Sequence, residues 1–132
     1  MLDNIQRHQV LVIRILAKLY STHPRTTAID HSTPRLTDEA SDLLGKITDE
    51  EAHGAIVWVH RNHLILGELK ESLPIGAPPR AFISDAQLSP TTLRVLSDRH
   101  NPFNSRYGDV ILNALGAENE AGIAANICAN LF

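Results

Sequence analysis

From Ile5 to Tyr20 the chain is apolar around almost the whole girth of a helix. Asp3-Asn4-Ile5-Gln6 opens that helix as a capping box: the Asp3 carboxylate accepts from the backbone N–H three residues on, and Gln6 reaches back. Behind the cap, Ile5, Val10, Leu11, Val12, Ile13, Ile15, Leu16, Ala17, Leu19 and Tyr20 leave only a narrow polar stripe. Arg7, Arg14 and Lys18 form it, seven and four residues apart on one face. A helix of this kind is either the centre of a core or a subunit seam. His23-Pro24 ends it, because the residue before a proline avoids the helical region.

The other elements follow from local signals. The β-branched run Thr26-Thr27-Ala28-Ile29-Asp30 predicts a short strand, and His31 to Arg35 a loop. Thr37-Asp38-Glu39-Ala40 predicts a second helix running to Leu44, with Gly45 as its stop. Thr48-Asp49-Glu50-Glu51 is another capping box and opens a third helix over about residues 49–62. There Ala52, Ala55, Ile56 and Val59 form the buried stripe; Glu50, Gly54 and Arg61 lie opposite, with Glu51 and Trp58 toward one edge. Leu64 to Leu69 and Ala81 to Ser84 read as the strands of a hairpin whose tip is the proline-rich stretch Ser72 to Pro79. Ser89-Pro90 starts a helix that reaches about His100, where Asn101-Pro102 breaks it. From Ser105 the chain is helical again, with Gly116 as a break, and Ala121 to Phe132 carries Ile123, Ile127 and Leu131 four apart.

At 132 residues the chain has the size of one compact domain, and 43% hydrophobic against 20% charged residues excludes wholesale disorder. No apolar run approaches the ~20 residues that span a bilayer, so no membrane partner is expected. Met1-Leu2-Asp3 shows no secretory signal, and a cytoplasmic location is expected. A single cysteine, Cys128, excludes an internal disulfide and a four-cysteine zinc site.

Helix, short strand, helix, helix, hairpin, helix is an order with a known counterpart, and local wording agrees with it. Trp58-Val59-His60-Arg61-Asn62-His63-Leu64-Ile65 is similar to the pattern Trp-Leu-x-x-Glu-Gly-Leu-Ile. Leu88-Ser89-Pro90-Thr91-Thr92-Leu93 is similar to Leu-Thr-x-x-Gly at the start of a helix. Over about residues 5–100 the chain therefore resembles winged helix-turn-helix domains. His63 stands where the family's turn glycine would be, so Asn62 or His63 must make the turn, and Thr92 replaces the second glycine. The resemblance implies a mainly α fold with a small β-hairpin wing. Residues 1–100 would form the winged-helix domain and residues 101–132 a helical tail for docking or dimerisation. It also implies a third helix and a wing that face duplex DNA.

Charge argues against that last implication. Residues 26–60 carry two bases (Arg35, Lys46) against seven acids, and acids facing a duplex oppose phosphate binding. Arg61, Lys70 and Arg80 are the candidate DNA contacts, with Glu68 and Glu71 among them. Arg7, Arg14 and Lys18 could add a basic patch in a dimer. The first expectation is instead a non-enzymatic interaction module, of bacterial or phage origin. It would bind a protein partner through Glu50, Glu51, Trp58, Arg61 and Ile75, and form a homodimer through the first helix and the tail together. Its acidic helix face could imitate nucleic acid toward a DNA-binding partner. The alternative is a small dimeric DNA-binding regulator.

Catalytic chemistry has little to stand on. His53 and His60 share a helical face and His63 follows three residues later, so with Glu50 or Asp49 they could ligate a metal. No H-E-x-x-H motif, G-x-S-x-G elbow or glycine-rich phosphate loop is present, however. The histidines read as surface or boundary residues and Cys128 as a buried structural thiol. The pairs Asp38/Glu39 and Glu50/Glu51 sit where helix N-termini favour negative charge. No catalytic residue, metal or cofactor is expected. Trp58, the single tryptophan, either packs at the helix edge against the wing or is a partly exposed interface anchor.

Overall fold

In the computed structural model, which describes residues 2–37, 39–99 and 101–131, the first helix lies at the centre of the molecule. Helix α1 (Asn4–Thr22) forms behind the expected capping box: Gln6 N donates to Asp3 Oδ1 at 2.8 Å and Asp3 N to Gln6 Oε1 at 3.0 Å. Every residue from Val10 to Ala17 is buried, Arg14 included. His23 turns to ψ 137° and ends the helix ahead of Pro24.

Strand β1 (Thr27–Ile29) follows, then a single 3-10 turn at Glu39–Ser41 and helix α2 (Asp49–Arg61). The hairpin is β2 (Ile65–Ser72) and β3 (Arg80–Leu88). Three helices complete the chain: α3 (Pro90–Ser97), α4 (Tyr107–Ala114) and α5 (Glu120–Leu131). The described residues thus form five α-helices and one antiparallel three-stranded sheet of order β1-β3-β2. Because β1 pairs with β3, the hairpin is part of a sheet rather than a free arm.

Two backbone details fix the hairpin. After α2 the chain makes a Schellman turn: His63 N donates to His60 O at 3.1 Å and Leu64 N to Val59 O at 3.0 Å. His63, not Asn62, takes the left-handed conformation at φ 58°, a position glycine fills at less cost. In the sheet the register shifts between Leu66 and Glu68, where Gly67 has φ 138°. A Cβ there would lie 2.7 Å from Ile83 Cγ2, so the two strands can close only over a glycine.

The structure departs from the sequence reading in several places. The helix expected from Thr37 to Leu44 is only the 3-10 turn, because the Asp42 carboxylate accepts the Leu44 N–H at 2.9 Å and pairs with Arg14 on α1. This local side-chain bond takes a donor that a helix would have used. Asp38, expected at the start of that helix, lies outside the described residues. Both hairpin strands run longer than the sequence suggests, to Ser72 and Leu88, and α3 stops at Ser97. His100 and Phe132, expected at helix ends, are also outside the described residues. The tail docks on its own chain. Ile123 and Ile127 of α5 are buried, and α5 packs along α1, which also meets α2 and α4. One core therefore runs from Val10 to Cys128, and the α1–α5 seam expected to join two subunits is filled within one.

Candidate functional site

The polar stripe of α1 is turned inward. Arg14 is 3% exposed, and its Nε and Nη2 donate to Glu120 of α5 at 2.8 and 2.7 Å. Its Nη1 and Nη2 donate to Asp42 at 2.8 and 2.6 Å, and Nη1 also to Pro34 O at 3.1 Å. All five guanidinium N–H groups are used. Burial opposes the charge, but the two carboxylates outweigh it and raise the Arg14 pKa further. Arg7 grips Glu51 of α2 at 2.7 and 3.0 Å and the carbonyls of Leu44 and Lys46. The basic patch expected from Arg7, Arg14 and Lys18 is not available to phosphates: of the three only Lys18 is exposed.

A second polar knot fastens the start of β3 to α2. His31 is 1% exposed; its Nε2 accepts the Ala81 backbone N–H at 3.1 Å, so Nδ1 carries the proton toward Asp49 Oδ1, also at 3.1 Å. Asp49 also receives Arg35 at 3.2 Å and lies 3.6 Å from Arg80. Hydrogen bonds from His31, then Arg35, hold its carboxyl below the usual range. The Asp–His pair has the look of a general base, but the outer nitrogen is already engaged by a backbone amide. His53 is drawn the other way, its Nε2 3.2 Å from Glu71 of β2. Among the described residues no group of three or more His, Cys, Asp or Glu could hold a metal ion, so His53, His60 and a carboxylate do not converge.

The candidate DNA contacts are scattered. Arg61 is exposed at the end of α2, Lys70 stands over the Phe82 ring at 5.8 Å, and Arg80 faces Asp49. Ile75, at the hairpin tip, is fully exposed and borders none of the concave surfaces described below.

Trp58 is only partly buried, and it meets α1 and α5 where the sequence suggested the wing. Its ring stands edge-on to His8, centroids 5.2 Å apart. A groove of about 310 Å³ opens there, lined by Ile5, His8, Gln9 and Val12 of α1, Trp58 of α2, and Ala125, Cys128 and Ala129 of α5. Ile5 is 71% exposed at its margin. Burial lowers the His8 pKa, which keeps the imidazole neutral at pH 7, and pushes the Cys128 thiol up to about 11. Cys128 is therefore an unreactive apolar wall. Next to the groove, and sharing His8, a second depression of about 220 Å³ is lined by Asn4, Leu11, Glu50, Glu51 and Gly54.

The structure thus brings Trp58, Glu50 and Glu51 to one face and leaves Arg61 and Ile75 off it. Sequence reasoning missed Ile5, His8 and Val12, although their i, i+3, i+7 spacing puts them on one side of α1. It also missed Ala125, Cys128 and Ala129, which share a face of α5 at i, i+3, i+4. No protein-family model, no curated protein and no solved structure matches the chain. Among the described residues no helix is long and apolar enough to cross a membrane.

Proposed function

We infer that this protein is a non-enzymatic interaction module of the winged-helix type that binds a protein partner on the α1–α2–α5 face. The observation that carries this reading is the apolar groove at Trp58, with a partly buried tryptophan in its wall and an exposed isoleucine at its edge. Tryptophan is one of the residues enriched among interface anchors. The winged-helix assignment is supported by the order α1, β1, turn, α2, hairpin, α3, with the second helix reduced to one turn. Protein is favoured over duplex DNA because Arg7 and Arg14 are consumed by internal carboxylates, and Arg80 faces Asp49. Self-association belongs to the same reading, but with the α1–α5 seam filled a homodimer has to use this outer face too. Partner and second copy then compete for it.

The test has two arms. A photo-crosslinking residue replaces Ile5, or the exposed Thr91 of α3 as a control, in cells of the source organism. In parallel a labelled mixed-sequence duplex is titrated at low and near-physiological salt. Protein adducts from position 5 but not from 91, with no duplex binding, are expected. Micromolar duplex binding that weakens steeply with salt, without adducts, moves the protein to the DNA-binding class.

A further inference from the structure

Resting on that assignment of the face, we propose that the occupant of the groove is an amphipathic helix with a basic residue about one turn from its apolar anchor. Six of the eight residues lining the groove are predominantly apolar, and His8 and Gln9 are the two polar ones. Its volume of about 310 Å³ lies at the floor of the roughly 300–1,000 Å³ typical of small-molecule sites. A large side chain from a partner suits it better than a drug-sized ligand. The walls are helices α1 and α5, and the α5 wall is built from alanines, with Ala125 and Ala129 exposed. Small residues let a third helix bring its backbone close. Helix in groove is the binding mode such a surface serves.

The basic residue is required by what lies next to the groove. The first turn of α2 carries three acids, and two are already neutralised: Asp49 by Arg35 and Arg80, and Glu51 by Arg7. Glu50 is exposed, lines the neighbouring depression, and has no partner among the described residues. His8 separates the two depressions and, being neutral, does not repel an incoming cation. A helix that seats an aliphatic or aromatic side chain against Trp58 and Val12 therefore places a Lys or Arg, three or four residues away, against Glu50. The α2 dipole stabilises Glu50 in the free protein as well, so the proposal must be read in binding rather than in stability.

The experiment is selection of a phage-displayed library of random fifteen-residue peptides on the whole protein, followed by anisotropy with the winning peptides. Winners with a large apolar residue and a Lys or Arg three or four positions away are expected. Their affinity should fall at least tenfold with Ile5→Glu and with Glu50→Lys, two- to fivefold with Glu50→Gln, and not at all with Arg94→Glu. Both Ile5 and Glu50 are exposed, so the Ile5→Glu melting curve should overlay the parent's, and Glu50→Lys should lower the midpoint only by the small amount that the lost helix-dipole interaction costs. Winners without a base, lost on Ile5→Glu but indifferent to Glu50→Lys, overturn the basic helix and leave the docking face standing. Winners indifferent to both variants, or no winners, overturn both. Self-association in sedimentation that Ile5→Glu abolishes and that the winning peptides do not displace gives the groove to a second copy and equally overturns the proposal.

Discussion

Replacing Arg14 with methionine tests the ion cluster at the centre of the molecule. The side chain is 3% exposed and donates to Asp42, Glu120 and Pro34 O. Methionine keeps most of the volume and removes every donor, which leaves two buried carboxylates facing each other. Removing one partner of a buried pair costs about 3–5 kcal/mol, and two orphaned charges put this case toward the upper end. With a urea slope of roughly 1.5–2 kcal/mol/M for a domain of this size, the midpoint should fall by about 2–3 M. Urea titration followed by fluorescence of Trp58, the single tryptophan, reads this directly. The triple variant Arg14→Met, Asp42→Asn, Glu120→Gln keeps amide acceptors for the Leu44 and Gly116 N–H groups and should recover most of the loss. In the single variant the deficit should shrink between pH 7 and pH 5, because burial without the guanidinium pushes the Asp42 carboxyl up until it protonates. A midpoint shift below about 0.5 M, as expected of an exposed pair, would falsify the claim that this cluster is a desolvated one. So would a triple variant no more stable than the single.

Three further outcomes follow from the same contacts. Thr48→Ala removes the acceptor for the Glu51 N–H at 3.1 Å and should cost about 1 kcal/mol in urea titration; no loss would mean that the α2 cap is idle. His63→Gly relieves the residue at φ 58° and should add roughly 0.5–1 kcal/mol of stability, whereas a loss would show that the imidazole makes a contact worth more than the strain. For Asp42, burial is overcome by Arg14, and for Glu51 the Arg7 hydrogen bond leads; both carboxyls lie below their ordinary pKa. Their contribution is complete above the ordinary carboxylate range and lost as pH falls through the lowered values, so these two groups should lower the thermal midpoint only below about pH 4. A separate, smaller drop should begin near pH 6, from His8, whose lowered pKa makes the folded state bind its proton less readily than the unfolded chain; a midpoint flat through that range would show that burial does not hold His8 neutral.

What was legible in the sequence was local. The Asp3 and Thr48 capping boxes, the Ser89-Pro90 helix start and the proline-rich hairpin tip each depend on residues within a few positions of one another, and each formed as read. What escaped were pairings across the chain. Helical phase placed Arg14 in a polar stripe correctly, but phase cannot show that the stripe faces two acids 28 and 106 residues away. The same pairing drew Asp42 out of the helix that Thr37 to Leu44 appeared to start. The face around Trp58 was half legible. Its α2 residues stood out by type and position, whereas its α1 and α5 walls exist only because the tail folds back on the first helix.

That fold-back sets an order of events on the ribosome. Helix α1 is made well before the helix that covers it and supplies Glu120, so α1 waits through synthesis of everything between them with an apolar surface bare. Exposed surface of this kind is what aggregates in nascent chains and what holdase chaperones recognise. A chain cut after the hairpin and α3 would keep Arg14 without its α5 partner, and α1 without its cover. The last dozen described residues thus act as a latch that closes only once translation has carried them clear.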